Sequence, residues 1–125
     1  MSTLSVSNVS DGTTTVGTSY VVNGSAKAWM TMAGDGTAID DSLNTSSLTD
    51  NGVGDFVQNY SSIFANAHYS WCGQQESTYS TTAMIITYQH STKLSSSTNI
   101  YTYRAGAGTS MDGEENCTQT LGDLA

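Results

Sequence analysis

The sequence predicts an all-β domain, an antiparallel β-sandwich of jelly-roll type, on three observations. Turn signals of the β kind recur along the chain, with Gly34-Asp35-Gly36, Asn51-Gly52 and Asp112-Gly113 separating runs of four to nine residues. No window of a dozen residues repeats its apolar positions at the helical period. Thr, Ser, Tyr and Val dominate the runs, and such side chains fit a pleated surface better than a helix. The 125 residues suit one domain around one core.

Taken in order, residues 1–24 form an extended N-terminal arm and residues 25–125 the sandwich module, because every Trp and Phe lies beyond residue 25. In the arm Leu4 and Val6 alternate with Ser5 and Ser7, while Tyr20, Val21 and Val22 are strand formers. These make two short extended pieces around the Asp11-Gly12 turn signal. A segment that cannot bury much of itself is expected to bury Leu4, Val6, Val9, Tyr20 and Val22 on a sister subunit or a docking surface.

The run 26–32 alternates, with Ala26, Ala28, Met30 and Met32 on one face and Lys27, Trp29 and Thr31 on the other. An exposed indole is costly, so Trp29 is expected in the core, which leaves Ala28, Met30 and Met32 for a subunit interface. Runs 37–43 and 47–50 follow, and Asn51-Gly52 then supplies the two positive φ angles of a tight type I′ turn before 55–60 returns. Further strands are expected at 68–75, 83–90, 99–104 and 116–121. Met84-Ile85-Ile86 is continuous enough for a central strand covered on both sides. About eight strands result.

Charge and motif content narrow the function. Three Lys+Arg against eleven Asp+Glu give a net charge of −8, which a nucleic-acid backbone would repel. No apolar run approaches the roughly 18–20 residues that span a bilayer, and residues 1–10 lack the basic start of a secretory signal, so no membrane partner is expected. Cys72 and Cys117 are too few for a disulfide framework. With only His68 and His90 beside them they are also a poor zinc set. They are read as half-buried side chains, or as one strand-to-strand disulfide. No Ser occupies a Gly-x-Ser-x-Gly elbow and no histidine motif accompanies one, so neither enzyme activity nor a cofactor is expected.

The clusters Asp40/Asp41, Asp50/Asp55 and Asp112/Glu114/Glu115 match no twelve-residue calcium loop. They read as solvated turn carboxylates that keep a charge-poor chain dispersed, without a metal. Asn-x-Ser/Thr triplets begin at Asn8, Asn23, Asn44, Asn59 and Asn116, as expected by chance where Ser and Thr supply 38 of the 125 residues. Tyr79, Gln74, Gln75, Tyr101 and Tyr103 are the candidate receptor-facing residues. Aromatic faces stack on pyranose rings, and amides bond sugar hydroxyls.

One stretch carries a resemblance: Gly24-Ser25-Ala26-Lys27-Ala28-Trp29, Gly34-Asp35-Gly36-Thr37, Asp41-Ser42-Leu43-Asn44-Thr45-Ser46-Ser47-Leu48-Thr49-Asp50-Asn51-Gly52 and Gly54-Asp55-Phe56. With Ala65-Asn66-Ala67-His68-Tyr69, and Ala105-Gly106-Ala107-Gly108-Thr109 followed by Asp112, it resembles a β-rich module of tailed-bacteriophage appendage proteins over about residues 20–120. That module stands at the carboxyl ends of tail fibres and as small virion proteins. The resemblance implies a virion structural protein, a homotrimer mounted on capsid or tail and assembled in the bacterial cytoplasm, and not an enzyme. No shaft-forming repeat precedes the module, so the arm would meet the other virion proteins. The alternative is a tail adhesin that reads a host-surface glycan with its Tyr and Gln residues.

Overall fold

The computed structural model describes residues 2–76, 84–88, 93–106 and 108–125. Along the chain lie β1 (Asn8–Ser10), β2 (Thr15–Gly17), α1 (Thr18–Gly24), β3 (Ala28–Ala33), β4 (Ile39–Leu43) and β5 (Thr45–Gly52). Then come β6 (Asp55–Tyr60), β7 (Ser70–Gln75), β8 (Met84–Tyr88), β9 (Ser97–Arg104), β10 (Thr109–Ser110) and β11 (Glu115–Leu121). One sheet has the order β4-β3-β11-β7. The other has β5, β6 and β9 side by side, with β8 and β10 also paired to β9, and β1–β2 is a separate hairpin. Every pairing is antiparallel. The expected antiparallel sandwich is what forms.

The core lies between the two larger sheets and is half polar. From the first sheet Ala28, Met30 and Met32 of β3 and Asn116, Thr118 and Thr120 of β11 are buried. From the second come Phe56, Gln58 and Tyr60 of β6 and Thr98, Ile100 and Thr102 of β9. Burying six polar side chains is tolerable only if they are bonded. Thr118 Oγ1 donates across the sandwich to Gln58 Oε1 at 3.0 Å, and Gln58 Nε2 donates to Thr45 Oγ1 at 2.9 Å. The Tyr60 hydroxyl lies 2.8 Å from Thr98 Oγ1 and 3.2 Å from Thr120 Oγ1. At one end Tyr60, Phe64 and Tyr69 pack with centroid separations of 4.5–5.9 Å. Leu124 closes that end by a bridge to Phe64.

Four expectations need correction. The faces of β3 are the reverse of those expected: Ala28, Met30 and Met32 fill the protomer's own core, and Trp29 is half-buried on the outer side opposite Leu43. An interface through Ala28, Met30 and Met32 is therefore excluded, because these side chains already meet Phe56 and Ile100 or the Tyr60 cluster. The run containing Met84-Ile85-Ile86 is not central, for among the described residues β8 pairs with β9 alone. The β5–β6 hairpin forms, but its tip is Val53-Gly54 rather than Asn51-Gly52, with Gly52 opposite Asp55. Tertiary approach sets this: Gly54 has φ +67°, and a Cβ there would lie 2.6 Å from Thr102 O. Gly54 N donates to Asp112 Oδ1 at 2.8 Å. Finally, Tyr20, Val21 and Val22 belong to α1, not to an extended piece.

The Gly34-Asp35-Gly36 turn stands where expected. Gly36 has φ +74°, and a Cβ would come within 2.4 Å of Phe56 Cε1, so this turn is pressed against the core. Asp35 Oδ1 accepts from Thr37 Oγ1 at 2.7 Å and Thr37 N at 3.0 Å. First the hydroxyl and then the amide hold this carboxyl below the usual aspartate range.

Candidate functional site

Two surfaces offer more than fold maintenance, and the first is the outward face of the sheet built on β6 and β9. Strand alternation sends Thr98, Ile100 and Thr102 inward, so Asn99, Tyr101 and Tyr103 must face out. Tyr101 and Tyr103 stand two residues apart on that face, with rings 15° from parallel and centroids 6.2 Å apart. Cross-strand register adds polar neighbours. Asp55 of β6 and Thr87 of β8 flank Tyr101, Ser110 of β10 pairs with Tyr103, and Val57 pairs with Asn99. Asn51 Nδ2 donates to Asp55 Oδ1 at 3.3 Å, and Asn59 Nδ2 donates to Ser47 Oγ at 3.1 Å and Thr49 Oγ1 at 3.3 Å.

The structure thus brings together two of the five expected receptor-facing residues. Gln74 is exposed but lies on the other sheet, opposite Cys117. Gln75 is turned inward by the same alternation, and its amide atoms are buried with no hydrogen-bond partner among the described residues. Tyr79 lies outside the described residues. Asp55, Asn51 and Thr87 were missed as neighbours of the tyrosines, because only strand pairing across long stretches of chain places them there.

The second surface is the N-terminal segment. The Asp11-Gly12 turn closes β1 on β2: Asp11 Oδ1 accepts from Thr14 N at 2.7 Å and Thr13 N at 2.9 Å, and these two amides hold the carboxyl below its ordinary range. Gly12 supplies the positive φ of 95°. Thr18 Oγ1 donates to the Val6 and Ser7 carbonyls, tying the start of α1 back to the chain before β1. The segment therefore has internal order and yet buries little. Leu4 is 85% exposed, Tyr20 76% and Val22 58%, and Val6 and Val9 are exposed as well.

The remaining chemistry is sparse. His68 N donates to Asn66 Oδ1 at 2.7 Å beside a polar depression that also holds Ser70 and Asp123. No hydrogen bond joins the His68 imidazole to either among the described residues, so no nucleophile–base pair is assembled there. Cys72 and Cys117 are free thiols on neighbouring strands. Burial, ahead of the nearby Glu115 and Glu76 carboxylates, pushes the Cys117 thiol up, against an opposing hydrogen bond with Thr31. Three triplet asparagines have structural partners: Asn44 holds Ser62 through both ends of its amide, Asn59 bonds β5, and Asn116 Nδ2 donates to Gly34 O at 3.3 Å. Among the described residues no three His, Cys, Asp or Glu side chains are grouped to hold a metal ion, and no helix is long and apolar enough to cross a membrane.

Comparison with known proteins finds no matching family, curated protein or solved structure.

Proposed function

We propose that this chain is a structural module of a tailed-phage virion, a homotrimer mounted on capsid or tail through residues 1–24. The observation that carries the mounting is the ordered N-terminal segment whose large apolar side chains Leu4, Tyr20 and Val22 lie in solvent while the sandwich fills its own core. Large apolar side chains left exposed together on one short segment are read as an association surface. The virion setting rests on the motifs between Gly24 and Phe56 and on the charge-poor, Ser/Thr-rich composition, which suits a passive particle component. Carrying Ala28, Met30 and Met32 inside the protomer moves the assembly role from β3 to this segment.

The test is made in the full chain. Leu4→Ser combined with Tyr20→Ser and Val22→Ser should leave the thermal midpoint of the sandwich unchanged and abolish co-sedimentation with the particle. Co-sedimentation at the unsubstituted level would overturn the mounting role, and absence of the unsubstituted chain from purified particles would overturn the virion reading.

A further inference from the structure

We infer that Cys72 and Cys117 together hold one soft, two-coordinate cation of the copper(I) class on the outward face of the β4-β3-β11-β7 sheet. The inference concerns a different surface from the N-terminal segment and does not rest on mounting. Alternation along β11 turns Asn116, Thr118 and Thr120 into the core and sends Cys117 and Gln119 out, while on β7 it is Cys72 and Gln74 that are exposed. The register sets Cys72 opposite Gln119 and Cys117 opposite Gln74, so the two thiols are diagonal neighbours across paired strands. Both are free, and both line one depression of about 240 Å³ that Gln74 and Gln119 also border.

Spacing selects an ion over a disulfide. Diagonal Cα atoms stand about 7–8 Å apart, roughly 2 Å more than a disulfide prefers. An ion between the sulfurs takes up that excess. Two metal–thiolate bonds of about 2.3 Å place the sulfurs about 4.6 Å apart, against about 2.05 Å when they are bonded to each other. Ligand number selects among ions. Among the described residues no third His, Cys, Asp or Glu joins the pair to make a metal-holding group. Zinc requires four ligands, whereas soft copper(I) favours thiolate and is satisfied by two in a line.

The groups around the sulfurs leave them available. Cys117 Sγ lies 3.8 Å from Thr31 Oγ1 and 3.4 Å from Glu115 Oε1, and Cys72 Sγ lies 3.8 Å from Gln119 O. Thiols are weak hydrogen-bonding groups, so these long contacts cost little to give up. Rotation of Cys117 about χ1 carries its sulfur from the β3 side toward β7. As the ion binds, each S–H bond breaks and one S–metal bond replaces it, so one copper(I) and two thiols give a two-thiolate complex and two released protons. Glu76 and Glu115 border Cys117, and the chain carries −8 overall. That field gathers cations and repels anionic thiol reagents, and hard carboxylate oxygens do not compete with thiolates for a soft ion.

Anaerobic titration of the reduced full-length protein with the copper(I)–bicinchoninate complex tests the inference. The expected result is withdrawal of one copper(I) per protomer, with both thiols lost together from a thiol assay and the light-scattering mass unchanged. Cys72→Ser, which alters an exposed group only, and Cys117→Ser should each lower the affinity by at least about a hundredfold, the loss of one of two ligands. Zinc(II) at equal concentration should not displace the copper. A second measurement needs no variant: the loaded protein should resist iodoacetamide at Cys72, although that thiol is exposed. Half a copper per protomer with a doubled mass would mean that Cys72 bridges two copies and would overturn the inference. So would undiminished copper binding in Cys117→Ser, or alkylation of Cys72 at the copper-free rate.

Discussion

Thr118, Thr120 and Gln58 show how a chain with few large apolar residues closes a core. Thr118 bonds Gln58, and Thr120 and Thr98 share the Tyr60 hydroxyl, so the desolvation cost of these groups is offset where a Leu-rich interior would have relied on apolar area alone. The apolar contribution is concentrated in a few side chains. Met32 is fully buried against Phe56 and Ile100, while Trp29 is only half-buried on the far face. Met32→Ala is therefore expected to cost about 2–5 kcal/mol, the range for deleting a buried side chain of this size. Trp29→Ala should cost less than Met32→Ala despite removing the larger group. Urea titration of both variants checks the ranking, and the reverse order would mean that β3 presents its other face to the core.

At the scale of elements, legibility followed apolar alternation. The β5–β6 hairpin and the Gly34-Asp35-Gly36 turn could be read because glycine and alternating residues mark them. In β3 the alternation was plain but its direction was not, since thioether and indole faces are both apolar and only the opposing sheet decides between them. β11 was placed almost to the residue by its β-forming content. Its central position was hidden, because the inward set is Asn116, Thr118 and Thr120 and carries no hydrophobic signal. α1 gave no signal at all: Gly17 caps it without a side-chain bond, no acid stands in its first turn and no base in its last. Tyr101 and Tyr103 were visible as candidates, whereas Asp55 and Thr87 depended on pairing.

The β7–β11 pair also settles the cysteines. Cys72 is opposite Gln119 and Cys117 opposite Gln74, so the thiols are diagonal neighbours on one face. Diagonal positions lie about 7–8 Å apart, beyond the roughly 5.5–6 Å preferred by a disulfide. Both thiols should thus remain titratable after air oxidation. Iodoacetamide should modify exposed Cys72 well before Cys117, whose thiol is half-buried and raised in pKa. Mass spectrometry of partially alkylated protein checks this. Equal rates, or loss of both thiols together, would contradict the register.

For the whole molecule, the sandwich and the N-terminal segment divide the work: the first is self-sufficient in its core, and the second leaves apolar surface uncovered. If that surface is what copies share, light scattering should return the mass of three protomers for the unsubstituted chain and one protomer for the Leu4, Tyr20 and Val22 triple substitution. A single-protomer mass for the unsubstituted chain at micromolar concentration would remove the trimer. The strand order has a different consequence. β3 and β7 do not touch in the ladder; each pairs with β11, so the first sheet has no centre until residues 115–121 are present. Until β11 has been synthesised β3 can pair only with β4, and Met30 and Met32 lack their neighbours from β11. Commitment to the native topology therefore waits for β11, and until that strand pairs a nascent copy is open to chaperone capture.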